Sequence, residues 1–431
     1  MTNNQQPIVS GFQGLGISPR LLEVLGQLKF IQPTPIQHQS IPAALEGKDI
    51  IGIAQTGTGK TLAFGIPMIQ RLAIIHGQGL VLLPTRELAL QVAETLQKIG
   101  RSSGLRTATL IGGASMFMQK QALHRGPHII IATPGRLVDH LQQGNVKLNN
   151  VKIAVLDEAD RMLDIGFAAA IKQILGLISK ERQVMLFSAT MPSEIVQIAA
   201  AHMKLPLRIE VAPAGTAATK IEQEIFMVNK DVKLQLLEKL LGDYKGIVLV
   251  FCRTKHGAKK IAATVRQMGH KSAELHSNRS LAQRREALEG FKSGKYRVLV
   301  ATDIAARGID VSGIELVINF DLPENSEDYV HRIGRTGRAG YGGRAISFAT
   351  PDQRGDVRSI ERLIRKALPI KTILPQLPPK RAVQTTSYDN DQKFNRGFNR
   401  GGQSAQFSKN HPSEFGPRHR RKSRPGFRRF R

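Results

Sequence analysis

At 431 residues the chain is long enough for two or three domains, each with its own hydrophobic core. Its 62 Lys and Arg outnumber 34 Asp and Glu, a formal charge of +28 that favours a polyanionic partner, nucleic acid before membrane. The single Cys252 excludes an intramolecular disulfide and a cysteine-based zinc site. Residues 1–10 lack the layout of a signal peptide, and no apolar run approaches the ~18–20 residues of a membrane span, so a soluble, cytoplasmic protein without membrane partners is expected.

In chain order, a helical segment at residues 19–28 and the turn Gln32-Pro33-Thr34-Pro35 come first. Residues 50–61 then read as a short β-branched strand, a glycine-bearing turn and a helix running on from Lys60. This is a phosphate-binding loop, Gln55-Thr56-Gly57-Thr58-Gly59-Lys60-Thr61, with Ala54 where the strict pattern has Gly. Gly57 and Gly59 let the backbone approach a polyphosphate, Lys60 reaches its β- and γ-phosphates, and the Thr61 hydroxyl suits Mg²⁺. Apolar strands predicted at 79–83, 128–132, 151–157, 184–188 and 207–211 alternate with helices, the pattern of a parallel α/β sheet covered on both faces. The small, polar, periodless segment 212–220 reads as a linker. A second alternating region has predicted strands at 225–228, 247–252, 271–275, 298–302, 316–320 and 344–348, closed by a helix at 352–368. It carries no phosphate loop, and no repeat between the halves is visible. The expected domains are therefore residues 1–211 and 221–370. From 371 to 431 the composition predicts a disordered basic tail, with fourteen Lys and Arg against three acids beyond residue 379, about +11. Its Phe394, Phe398, Phe407, Phe415, Phe427 and Phe430, interleaved with cations, suit RNA by stacking and counterion release, or the tail only keeps the chain soluble.

The strand at 151–157 ends in Asp157-Glu158-Ala159-Asp160. An acid at the tip of a buried strand beside a phosphate loop is where a Mg²⁺-organising carboxylate belongs, and Glu158 is placed to orient or deprotonate an attacking water. Two acids after a strand also suit a helix N-cap. In the second half, His331-Arg332-Ile333-Gly334-Arg335-Thr336-Gly337-Arg338 presents cations of the kind that stabilise a phosphoryl group in transfer.

These motifs, in this order and spacing, resemble the DEAD-box ATP-dependent RNA helicases over nearly all of residues 12–350, most of all the bacterial RhlE type. The resemblance implies two RecA-like parallel-sheet α/β domains in tandem, ATP and Mg²⁺ as ligands, and RNA-stimulated ATP hydrolysis that unwinds short duplexes or remodels ribosomal or messenger ribonucleoproteins. It implies that Gln37 reads the adenine edge, that Phe30 packs on the base with Phe12 upstream, and that Asp303 contacts the ribose. The amide of Gln37 also suits a cap on the following helix. Lys29 stands where the family has Gly. By the same resemblance Lys60, Asp157, Glu158, Arg335 and Arg338 are catalytic, Thr61 and Asp157 hold the metal, and Asp160, Ser188, Thr190 and His331 couple hydrolysis to strand separation. A helix cap at Thr190 or Ser193 fits the residues equally. RNA contacts are implied at Thr85, Arg86, Gly113, Thr133, Gly135, Arg136, Arg253, Thr254, Arg284 and Thr302, with Leu281 in place of the family's Gln. None is an obvious base-edge reader, so backbone recognition independent of sequence is expected. Two other readings fit the composition: a non-catalytic RNA-annealing platform, and a DNA helicase on the same core.

Overall fold

The computed structural model describes residues 11–371 apart from Thr56, 212–220, 307–310, 312 and 338–342. The expectations for Thr56, the linker, Arg338 and the tail beyond Lys371 thus lie outside the described residues.

The first half runs α1 (Pro19–Gln27), α2 (Pro35–Leu45), β1 (Ile50–Ile53), α3 (Lys60–Leu72), β2 (Gln78–Leu82), α4 (Arg86–Gly100), β3 (Thr107–Leu110), α5 (Met116–His124), β4 (Ile129–Ala132) and α6 (Pro134–Gln142). It continues through β5 (Val151–Asp157), α7 (Ala159–Asp164), α8 (Ala168–Leu177), β6 (Gln183–Ser188), α9 (Ser193–His202) and β7 (Leu207–Glu210). The seven strands form one parallel sheet in the order β3-β4-β2-β5-β6-β1-β7. Because side chains alternate along a strand, neighbouring residues feed opposite faces. Ile50, Val81, Ile131 and Val155 enter one core, while Ile51, Leu80, Ile130 and Leu156 enter the other. A sheet buried on both faces needs continuous Ile, Val and Leu, which is why these strands are legible in sequence.

The second half comprises β8 (Ile221–Met227), α10 (Lys233–Asp243), β9 (Ile247–Phe251), α11 (Lys255–Gln267), β10 (Ser272–Leu275), α12 (Leu281–Lys292), β11 (Val298–Ala301) and α13 (Asp303–Ala306). It ends with β12 (Ile314–Asn319), α14 (Ser326–Ile333), β13 (Gly343–Ala349), α15 (Arg354–Ile364) and β14 (Ile370–Lys371). Its order, β10-β11-β9-β12-β13-β8-β14, repeats that of the first sheet strand for strand. The repeat was invisible in sequence because topology is preserved by which faces are apolar, not by residue identity. Two edge strands were also not anticipated. β3 is a short alternating Thr-Ala-Thr-Leu, and β14 has two exposed residues, so neither gives a periodic signal. Lys371 therefore closes the second sheet instead of opening the tail. The helix expected at 352–368 is a 3₁₀ turn at Pro351–Gln353 followed by α15, stopped where Arg365 turns to φ 53°. Among the described residues no helix is long and apolar enough to cross a membrane.

Candidate active site

In a parallel sheet, ligands collect beyond the carboxyl ends of the strands, where helix N-termini converge. β1, β5 and β6 deliver the phosphate loop, the Asp157–Asp160 turn and Ser188 to one such edge. A cavity of about 320 Å³ opens there, lined by Phe30, Gln37, Gly57, Gly59, Lys60, Thr61, Asp157 and Glu158. Gly57 and Gly59 take φ 85° and 89°, which an L side chain resists. At Gly59 an added Cβ would also collide with the Gln37 amide, so the loop and the upstream turn share one space. The Gln37 amide nitrogen donates to the Gly59 carbonyl at 2.9 Å, and its oxygen accepts from Thr34 N at 2.9 Å. The cap on α2 and the tie to the phosphate loop are therefore one feature.

Lys60 Nζ donates to the Ala54 carbonyl at 3.0 Å and stands 3.8 Å from Asp157 Oδ1. The Ala54 N–H donates to the Ser188 carbonyl. Position 54 thus works through its backbone, and its methyl is tolerated. Burial pushes the Asp157 carboxyl up to about 6, against the attraction of Lys60. An anionic side chain held this far from water invites a cation. Glu158 follows at φ 54°, a strained geometry for a residue with a side chain, and it makes no side-chain cap on α7. Four expected residues, Phe12, Gln55, Thr58 and Asp303, do not line this cavity. Phe12 is buried in the first core, and the chain before α1 is tied to α3 by Gln70, which bonds Ser18 and Gly16. Thr58 donates its hydroxyl to the Gln55 carbonyl, shaping the loop from within. Leu88, Gln91, Val92 and Thr95 of α4 complete the wall. They escaped the sequence reading because they look like an ordinary helix face.

Asp160 is held from several directions. Its Oδ2 accepts from Ala189 N, Thr190 N and Thr190 Oγ1 at 2.9–3.0 Å, and its own N–H donates to Ser188 Oγ at 3.1 Å. The helix-cap alternative fails here: α9 begins after Pro192, with no side-chain cap.

The second half meets this network through Arg161. Its guanidinium lies 3.6 Å from Glu158 Oε2, is 1 % exposed, and has no hydrogen-bond acceptor among the described residues. It faces a water-sized cavity of about 10 Å³ shared with Asp303, Asp328, His331, Arg332 and Arg335. Arg335 donates to the His331 carbonyl and lines this cavity, not the larger one. Asp303 receives a two-pronged ion pair from Arg332 at 2.5 and 2.6 Å, and Arg332 also stacks on Phe251 at 5.1 Å. Arg161 was missed as a candidate, with only its place after Asp160 to hint at it, and Arg332 was read only as one cation of the 331–338 run.

A second cavity, about 330 Å³, runs between the halves. Thr85, Arg86, Thr133, Gly135, Arg136 and Arg284 line it together, whereas Gly113, Arg253, Thr254 and Thr302 do not. Arg86 packs over Gly112 and Gly113, and a side chain at Gly113 would be strained by its φ of 77° and would displace that guanidinium. Arg284, which lines this cavity, also donates to Glu87 Oε2 at 2.8 Å in an ion pair buried between the halves. Leu281 packs against the first core, so the expected Gln contact is replaced by an apolar one.

A phosphate loop, a strand-tip acid pair and buried arginines across two sheets of one topology define a two-domain nucleoside-triphosphatase of the helicase type. The DEAD/DEAH box helicase family matches residues 34–198, and the helicase conserved C-terminal domain matches 232–340. The chain is 44 % identical over 362 residues to the ATP-dependent rRNA helicase RRP3 of Debaryomyces hansenii, spanning 83 % of this chain and 76 % of that one. It is 43 % identical to the DEAD-box ATP-dependent RNA helicase CshA of Geobacillus kaustophilus, spanning 83 % and 77 %. Among solved structures, S. cerevisiae Dbp5 bound to RNA and ADP BeF3 aligns with a TM-score of 0.76 at 29 % identity, over 84 % of this chain and 95 % of that one. The chain belongs to the DEAD-box family of ATP-dependent RNA helicases.

Proposed function

We propose that the 320 Å³ cavity takes ATP and the 330 Å³ groove takes single-stranded RNA backbone, and that both are completed only when the two sheets meet. The observation that carries this reading is the buried contact between halves at each site: Arg161 beneath the Arg332–Arg335 turn, and Arg284 on Glu87. Ligands that each favour the joined state bind cooperatively.

On this reading Gln37 and Phe30 hold the adenine, and Lys60 leaves the Ala54 carbonyl for the phosphates. Thr61 and Asp157 fit a Mg²⁺ ion, since both line the cavity and the Asp157 carboxylate is buried with Lys60 3.8 Å away. Bound there, the metal would neutralise charge on the phosphate oxygens. Glu158 accepts the proton of the attacking water, and Arg335 with Arg338 answers the charge on the γ-phosphoryl group. Asp160 and Thr190 carry the change to the groove. Arg86, Arg136 and the Thr85 and Thr133 loops grip phosphates, so binding is independent of sequence. Kinship with the RhlE type, a cytoplasmic setting and ribonucleoprotein substrates belong to the same proposal. Steady-state ATPase assays with and without single-stranded RNA test it. Turnover should be stimulated by RNA and lost in Glu158→Gln, which should still bind both ligands. An unchanged rate in that variant would remove Glu158 from the role.

A further inference from the structure

α11 breaks two rules of helix stability at once. Lys255 stands in its first turn, where the helix dipole disfavours cations, His256, Lys259 and Lys260 follow within two turns, and no acid accompanies them. Lys255 and Lys259 also stand four residues apart, where like charges repel. All four side chains are exposed. The surrounding sequence offers no relief, for no Asp or Glu occurs between Asp243 and Glu274, while seven Lys and Arg do. Some lysines on other helices are paired, as in Lys98–Glu94, Lys239–Asp243 and Lys292–Glu289, while Lys120 and Lys172 stand singly on α5 and α8. Lys255, Lys259 and Lys260 form no ion pair among the described residues.

The strip also starts near the groove. β10, β11 and β9 are neighbours in the sheet, and their carboxyl ends lead to Ser277, Thr302 and Arg253-Thr254. Ser277 lines the groove, so α11 begins two strand spacings away, roughly 10 Å. Thr254 caps the helix by accepting from Gly257 N, which fixes the direction in which the strip departs. From Lys255 to Arg266 it extends roughly 16 Å.

We infer that the exposed face of α11 is a second RNA track, which holds the phosphates of the strand after it leaves the groove. An RNA backbone supplies the anions this face lacks, and it does so in a row. The inference rests on the groove reading above, and its test separates the two. With a non-hydrolysable ATP analogue present, the full-length chain and a Lys255→Gln, Lys259→Gln, Lys260→Gln variant are titrated over a salt series with single-stranded RNAs of roughly six and roughly twenty nucleotides. For the long RNA, three lost phosphate contacts should flatten the slope of log K against log salt by about 2. For the short RNA, and for RNA-free ATPase and melting temperature, the variant should match the unmodified chain. An unchanged slope with the long RNA makes α11 a solvated face and overturns the inference, as does an equal loss with the short one. Failure of the short RNA to bind the unmodified chain overturns the groove reading and the track with it.

Discussion

Asp157→Asn should make the ligand-free protein more stable while abolishing turnover. The carboxyl is 3 % exposed, and burial raises it from 3.8 to about 6, with Glu158 and Asp160 pushing the same way and Lys60 opposing. A carboxyl whose folded pKa lies above its unfolded value holds its proton more tightly when folded. Its contribution is therefore most favourable below about pH 4, declines between about pH 4 and 6, and is a constant penalty above. Some two units at about 1.4 kcal/mol each amount to about 3 kcal/mol at neutral pH. Asparagine keeps the shape without the charge, so it removes that penalty. For a domain of this size the gain corresponds to roughly 6–12 °C in melting temperature. Thermal melts of both proteins without nucleotide or divalent cation, from pH 4 to 8, should show a gap that opens up to pH 6 and then stays level. Coincident melts, or a less stable variant, would refute the view of Asp157 as a carboxylate left unsatisfied until its ligands arrive.

Lys29→Gly should stabilise the protein by roughly 1 kcal/mol, because Lys29 sits at φ 62° where glycine carries no strain; a lower melting temperature would contradict this. Glu87→Gln and Arg284→Met should each weaken ATP-dependent RNA binding, and a double-mutant cycle should give a coupling of about 1–3 kcal/mol. Additive losses would mean the pair does not link the halves. Arg161→Met should lower kcat on the order of a hundredfold with little change in KM for ATP, since the Glu158 carboxylate loses its cation 3.6 Å away. A raised KM with kcat intact would assign Arg161 to binding instead.

The sequence by itself determined the two-sheet plan, because strands buried on both faces must be runs of Ile, Val and Leu. It also determined the chemistry at the first sheet's edge, because a phosphate loop and a strand-tip acid need particular residues at fixed spacing. Lys60, Thr61, Asp157 and Glu158 are contiguous with the strands that position them, and all four line the cavity they were expected to share. What escaped it depends on residues far apart in the chain. Arg284 meets Glu87 across 197 positions, and Arg161 shares a cavity with Arg335 from the other sheet. No local pattern marks such a meeting, since an arginine destined for burial looks the same as one destined for solvent. Phe12 went to the core for the opposite reason: an isolated aromatic suits either a base or a hydrophobic cluster, and only packing chooses. The duplicated strand order, too, is a property of how apolar faces stack, which many sequences satisfy and none spells out.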